Sequence, residues 1–453
     1  MKTRTYYKTV LYIFWIIFLF FSIDVTLAHP LKRTSVQKLV GSSRTYYIDS
    51  IHGSDNNSGT LKSPWKTLQK ISKHKFAPGD TVFFARGSKF KGGFVITSSG
   101  KPGKPIVFTA YGNGPAPIFT NPSYDNLNGN AIQVKGSYIV IDGLYFYNCP
   151  KSPVCEDIRT LGAIFIALGA DHNIVKNCEM TKTPVGIQTY GQHTLITHNY
   201  IHDDNVPIRP HWGPICVVVC TSNNEISYNR FENYCAPSNE YGHDGGAIEI
   251  NDGAYDKVNL KIHHNYSSGN QGFIENIQSK CLSKNWIIAY NVCDDYQSWL
   301  GLTNVQNIRV EHNTVIRTKK HAGYNDFCWF NDYLGQNTVF FRNNIFVLGN
   351  GIPPVYYHGD GEKQDHDHNL YFCIDRKTFE KGKTYSVLGA PLGPGEIITN
   401  PLFVDFENRD LHLRAGSPAI DSGVNLGYKK DFDGKPVPSG KAPDMGAYEY
   451  QKD

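Results

Sequence analysis

GGAIEIND (245–252), QGFIENIQ (271–278) and SWLGLTN (298–304) alternate along the chain with LKIHHNY (260–266), NWIIAYN (285–291) and IRVEHNT (308–314). Each segment of the second set has the form aliphatic, two variable residues, asparagine: Ile262 and Asn265, Ile288 and Asn291, Val310 and Asn313. Each of the first two segments of the other set places a glutamate directly after an isoleucine, Glu249 after Ile248 and Glu275 after Ile274. If the segments are strands of a stacked coil, the two carboxylates lie one above the other.

Outward from this stretch the asparagine element recurs at Ile174/Asn177, Ile196/Asn199, Ile226/Asn229 and Phe340/Asn343, with a last copy ending at Asn369. Successive asparagines are 22, 30, 36, 26, 22, 30 and 26 residues apart, a floor with variable excess that marks a repeat carrying loop insertions. Apolar residues alternate within ISYNRF and IRVEHNTV, so the elements are short strands. One such turn cannot bury its apolar face alone, whereas stacked turns share a continuous core. The expected fold is therefore all-β, a parallel β-helix with an N-terminal cap. An antiparallel sandwich has short strands too, but no single motif at a 22-residue floor. Asparagine suits a sharp corner because it tolerates left-handed backbone angles and bonds local backbone.

Composition agrees. Net charge is +4 with 19% charged residues, and no basic run is interleaved with aromatics, so nucleic acid is not an expected partner. Residues 1–28 read as a secretory signal: Lys2, Arg4 and Lys8, then an apolar run from Val10 to Ile23, then Thr26-Leu27-Ala28. That run is too short to span a bilayer, which predicts a secreted protein, extracellular or periplasmic, without a membrane anchor after cleavage. The expected order is signal (1–28), flexible lead (29–44), cap and first strands (45–120), β-helix with inserted loops (121–373) and an extension packed on the coil (374–453). The cap includes one short helix at 64–73. Ten cysteines in an exported chain permit disulfides; Cys149 and Cys155 flank a loop they can bridge, while Cys178, Cys293 and Cys373 lie in or beside strand-like runs as buried thiols. QDHDHN (364–369) reads as an exposed turn rather than a metal site.

The opening YYIDSIHGSDNNSGTLKSPWKTLQK…APGDTVFFARG, the asparagine repeat and the ending NPLFVDFENRDLHLRAGSPAIDSG…DFDGKPVPSGKAPDMGAYEY resemble secreted bacterial right-handed parallel β-helix proteins of the glycoside hydrolase and polysaccharide lyase group. The resemblance implies that fold, secretion and a poly- or oligosaccharide substrate.

Three insertions, 202–215, 232–246 and 318–328, leave the coil after the asparagine corner and are expected to wall one groove, since function concentrates in such loops. Its residues would be Asp203, Asp204, Arg209, His211, Trp212, Tyr241, His243 and Asp244. Strand alternation adds two outward columns: Glu249, Glu275, Gly301 and Asn331, and Ala247, Phe273, Trp299 and Trp329. Acids beside aromatic faces make a sugar site. The expected catalytic residues are Glu249, Glu275 and Asp244. Substrate contacts are assigned to His243, Tyr241, Arg209, His211, Trp212, Phe273, Trp299, Trp329 and Asn331. The aromatics have a competing role as core.

Strands stack about 4.8 Å apart, near the ~5–5.5 Å carboxyl separation of retaining glycosidases and below the ~6.5–9.5 Å of inverting ones. The expected activity is that of a retaining glycoside hydrolase, a monomer needing no cofactor. The first alternative is a Ca²⁺-dependent lyase of uronate glycans, its ion held by Asp203, Asp244, Glu249 and Glu275. One lyase family acting on alginate and dermatan resembles this layout, with a Glu-x-Glu-Ile-Ile strand, a lysine and a later Arg-His pair. Here the strand is AIEIND, no lysine lies in the matching turn before Lys257, and the Arg-His position reads ENIQ. The second alternative is a glycan-binding β-helix without catalysis.

Overall fold

The computed structural model describes residues 43–122, 129–150, 158–278, 280–319, 321, 327–349, 363–375 and 392–452. The leader at 1–28 and nearly all of the lead at 29–44 lie outside the described residues. What is described is a right-handed parallel β-helix, with two parallel sheets of twelve strands and one of nine. One turn shows the plan. Ile174–Lys176 joins sheet 1, Glu179–Thr181 sheet 2 and Val185–Thr189 sheet 3, and Leu195–Thr197 then returns to pair with Ile174–Lys176. The coil starts early: Thr45–Ile48 and Thr81–Ala85 are already neighbours in sheet 1, and the helix is confined to Leu68–Lys73.

The repeat aligns the core. Ile196, Ile226, Ile262, Ile288, Val310 and Phe341 stand in register on sheet 1 and are all fully buried. Burial of each such side chain is worth about 1.5–3 kcal/mol, which only a stacked neighbour makes available.

The asparagine column differs from the sequence reading in a way that explains its chemistry. It runs Asn199, Asn229, Asn265, Asn291, Asn313, Asn344 and Asn369, so the pair at its end is Phe341/Asn344 rather than Phe340/Asn343, and Cys178 rather than Asn177 sits beneath Asn199. These asparagines are not the left-handed residues. That conformation belongs to the residue before each one: Asn177, His198, Tyr228, His264, Tyr290, His312, Asn343 and His368, with φ from 51° to 58°. The ladder asparagines are instead buried pairing devices. Asn291 Oδ1 accepts from the backbone N–H and the Nδ2 of Asn265, both at 3.0 Å, while Asn291 Nδ2 donates to Ile262 O at 3.0 Å. A buried corner must pair its backbone N–H, and only an amide offers donor and acceptor together. The left-handed residues stack outside the ladder, with ring centroids 4.7–5.1 Å apart from His198 through Tyr228, His264 and Tyr290 to His312. Left-handed asparagines do form a second, exposed ladder, Asn223, Asn259, Asn285 and Asn307, at the corner leading into sheet 1.

Glu396 ends the buried ladder, accepting from Asn369 Nδ2 at 2.8 Å and pairing with His366 at 2.8 Å. His366 is thus a buried strand residue, and the exposed-turn reading of QDHDHN is corrected. Residues 392–452 lie along sheet 2, where Phe403, Leu411, Leu413 and Met445 pack on Val292, Ile316, Ile345, Val347 and Leu370. Of the nine described cysteines eight are buried, Cys178, Cys293 and Cys373 included. Cys149 is one of these buried thiols; Cys155 lies outside the described residues.

Candidate functional site

Sheet 3 builds the site. Its strands Gly246–Ile250, Ile274–Asn276, Leu300–Thr303 and Cys328–Asn331 pair in parallel with Glu249 opposite Glu275, Glu275 opposite Gly301 and Gly301 opposite Trp329. This column floors a cavity of about 500 Å³. The two glutamates are therefore direct ladder neighbours facing one cavity. Trp329 rather than Asn331 continues their column, and Asn331, opposite Thr303, lines the cavity two residues on.

The aromatic column is corrected. Phe273 and Trp299 are buried in the coil interior, and the residue stacked on Trp299 is Phe327. Alternation fails there because these residues precede the strands, at the end of the short links from Tyr266–Ser268 and Val292–Asp294 on sheet 2, where the chain turns inward. Trp329, within its strand, obeys the alternation and reaches the cavity. Its indole lies over Gly301, where a Cβ would come within 2.2 Å of the ring.

Two insertions form the wall. His211 and Trp212 come from the first, Tyr241 and Asp244 from the second. The loops are fastened to each other. Gly213 N–H donates to Asp244 Oδ2 at 2.9 Å, Asn239 N–H donates to Pro210 O at 3.0 Å, and a Cβ on Gly213 would meet Asp244 O at 2.1 Å. From the third insertion, His321 stacks on His243 at 4.0 Å and on Tyr296 at 3.9 Å, behind the wall; most of the rest of that loop, 320 and 322–326, lies outside the described residues. His243 and Arg209 do not line the cavity; Arg209 is bound through its backbone to Trp212 in the loop's own turn. Asp203 and Asp204 are also absent from the lining. Asp203 faces His202 (2.7 Å) and Asn233 (2.8 Å) on sheet 2, and Asp204 is buried against Val206 N–H. Hence Asp203 does not join Asp244, Glu249 and Glu275, and among the described residues no three His, Cys, Asp or Glu side chains gather closely enough to hold a metal ion.

Glu249 is held from both sides. Trp212 Nε1 donates to its Oε2 at 2.7 Å and Asn251 Nδ2 to its Oε1 at 2.6 Å. The sequence reading missed Asn251, although its place two residues beyond Glu249 puts it on the same face. Burial, with the charge of Glu275 second, pushes Glu249 from an ordinary 4.5 up to about 8 despite these donors. Glu275 is the open member: its surface faces the cavity while protein surrounds the rest. That poor solvation, and then Asp244, pushes it up to about 7. Burial also raises Asp244, against the pull of the Gly213 and Gly245 N–H groups. Among the described residues, no lysine or arginine lines the cavity.

Fold and site together define a right-handed parallel β-helix protein with an acidic, loop-walled cavity on one sheet. A family model described as "Pel9A-like, right handed beta helix region" matches residues 46–207, ending before Glu249. A lacto-N-biosidase of Bifidobacterium longum subsp. longum is 38% identical over 77 residues, 16% of this chain and 5% of that protein, so the match spans a small fraction of the relative. The crystal structure of pectate lyase Pel9A aligns at a TM-score of 0.57 and 15% identity, covering 90% of this chain and 97% of that one. The complex of XylC with xylose aligns at 0.54 and 11% identity, covering 89% and 98%. These likenesses show the fold.

Proposed function

We propose that this chain is a glycoside hydrolase that cleaves a neutral poly- or oligosaccharide with retention, using Glu249 and Glu275. One observation carries the reading: two carboxyl groups one strand apart on a cavity floor, both raised toward neutrality. Carboxylates this close titrate as a pair, and near neutral pH the pair holds about one proton. Burial places it: Glu249, pushed up to about 8 even with the Trp212 and Asn251 donors, keeps the proton, while Glu275, pushed up to about 7 and open to the cavity, ionises first. Glu249 then protonates the leaving glycosidic oxygen as Glu275 attacks the anomeric carbon. Water, deprotonated by Glu249, releases the sugar from Glu275 and restores both groups.

The names of the relatives, a pectate lyase and a lacto-N-biosidase, support carbohydrate chemistry of either kind. The lining favours hydrolysis. A lyase must neutralise a uronate carboxylate, and three acids with no lysine or arginine among the described lining residues repel one. The acids fit calcium poorly, because both oxygens of Glu249 and both of Asp244 already accept N–H donors. The test is purified protein on neutral and uronate-containing glycans. Hydrolysis gives new reducing ends without the ultraviolet absorbance of an unsaturated product. Appearance of that absorbance, or full turnover by both Glu249→Gln and Glu275→Gln, refutes the proposal; binding without turnover supports the glycan-binding alternative.

A further inference from the structure

The outer face of sheet 3 changes character at Glu249. Toward the N-terminal end its column continues through Val218, Gln188 and Phe165, and all three are buried under 8% exposure. They are covered by an apolar cluster in which Leu161, Ile208 and Ile215 pack on Phe165, Val185 and Val218, with Trp212 against its edge. Trp212 is thus shared. It packs against this plug and also holds Glu249, so the plug begins where the glutamate pair begins. Across the strands, the clamped loops carrying His211, Tyr241 and Asp244 close one side.

A glycan held by its middle must leave a cleft through two opposite ends. Along the coil one end is filled by the plug, and across the coil one side is filled by the loops. Among the described residues, the rim at the corner from sheet 3 to sheet 1 is apolar. Ile277 lines the cavity there at 55% exposure, and Tyr333 and Leu334, at 71% and 58%, closely follow cavity-lining Asn331. Exposed apolar and aromatic side chains at the mouth of a pocket are a place for sugar faces to rest.

We infer that the cavity takes the end of a glycan chain, with the terminal mono- or disaccharide against the plug at Trp212 and the rest of the chain leaving over Ile277 and the Tyr333 rim. This rests on the hydrolase reading and adds its mode, removal of a terminal unit. The chemistry follows from the floor: neutral sugars, whose rings can lie on Trp329 and whose hydroxyls meet Asn251, Asn331 and the acids. A cavity of about 500 Å³ lies within the ~300–1,000 Å³ range of small-ligand pockets, which suits a short terminus.

The experiment uses the full chain on xylan, galactan, mixed-linkage glucan and a host-type N-glycan, with fluorescently end-labelled oligomers of each, sized at low conversion. The expected result is one short product of fixed size, labelled chains shortened by that unit, and polymer viscosity almost unchanged as reducing ends accumulate. Internal fragments of many sizes with an early fall in viscosity overturn the inference and leave the hydrolase reading standing. Cleavage of none of the panel overturns both. Tyr333→Ala, on the exposed rim, is expected to raise KM for long oligomers and leave the shortest cleaved one unaffected; an equal effect on all lengths removes the rim from the path.

Discussion

Glu249→Gln keeps the shape of the site and removes one charge, so it separates catalysis from stability. In the folded chain Glu249 is raised from 4.5 to about 8, so the native state binds its proton more tightly than the unfolded state. Its contribution is therefore greatest at low pH and is lost as pH rises between those values. At about 1.4 kcal/mol per unit the whole shift would cost about 5 kcal/mol above pH 8. Coupling to Glu275 and sharing of one proton reduce the part removable by one substitution to about 2–3 kcal/mol. Glutamine gives back about 1 kcal/mol, because its amide N–H₂ must face one of the two donors, Trp212 Nε1 or Asn251 Nδ2. The variant is thus expected to fall about 1 kcal/mol below the parent near pH 4.5 and to exceed it by about 1–2 kcal/mol at pH 9. In a chain this long that is about 1–3 °C in Tm, read by thermal unfolding at both pH values. Turnover is expected to fall about 10³-fold or more at every pH. Superimposed Tm-against-pH curves for parent and variant would refute the account of Glu249 as a buried, anion-averse carboxyl.

Other outcomes follow from the same geometry. Trp212→Phe removes the Nε1 donor at 2.7 Å, which should raise the pKa of Glu249 further and move the alkaline limb of the pH–rate profile upward; an unmoved profile refutes the positioning role. Gly301→Ala drives a methyl into the indole of Trp329, and is expected to raise KM at least severalfold with far-ultraviolet circular dichroism unchanged. Asn291→Ala deletes a buried amide that serves three neighbours, for an expected loss of about 3–5 kcal/mol read by chemical denaturation. Asp204, Asp295 and Glu449 are also pushed up to about 7, chiefly by burial, so the parent chain should lose stability as pH rises from about 4 toward 7, the reverse of a chain held by paired carboxylates.

The repeat was readable because a coil repeats its physics. Each turn needs an aliphatic residue inside and a paired corner outside, and both leave a spacing in the chain. The opposition of Glu249 and Glu275 follows from the same spacing, since residues after Ile248 and Ile274 must share a face. The column beyond them could not be read. The corner from sheet 2 brings the chain in at its own angle, so Phe273 and Trp299 turn inward where alternation pointed them out, and Trp329 takes the place given to Asn331. The asparagine ladder shifted by one residue at 343 and 344 because two adjacent asparagines fit the pattern equally, and only the backbone at the corner tells the pairing amide from its left-handed neighbour. Asp203, Arg209 and His243 carried the right chemistry on the right loops, yet where a loop side chain points depends on what the loop folds against. Local period determined the coil and its acidic pair. Packing between segments far apart in sequence decided the plug, the wall and the set of side chains that meet in the cavity.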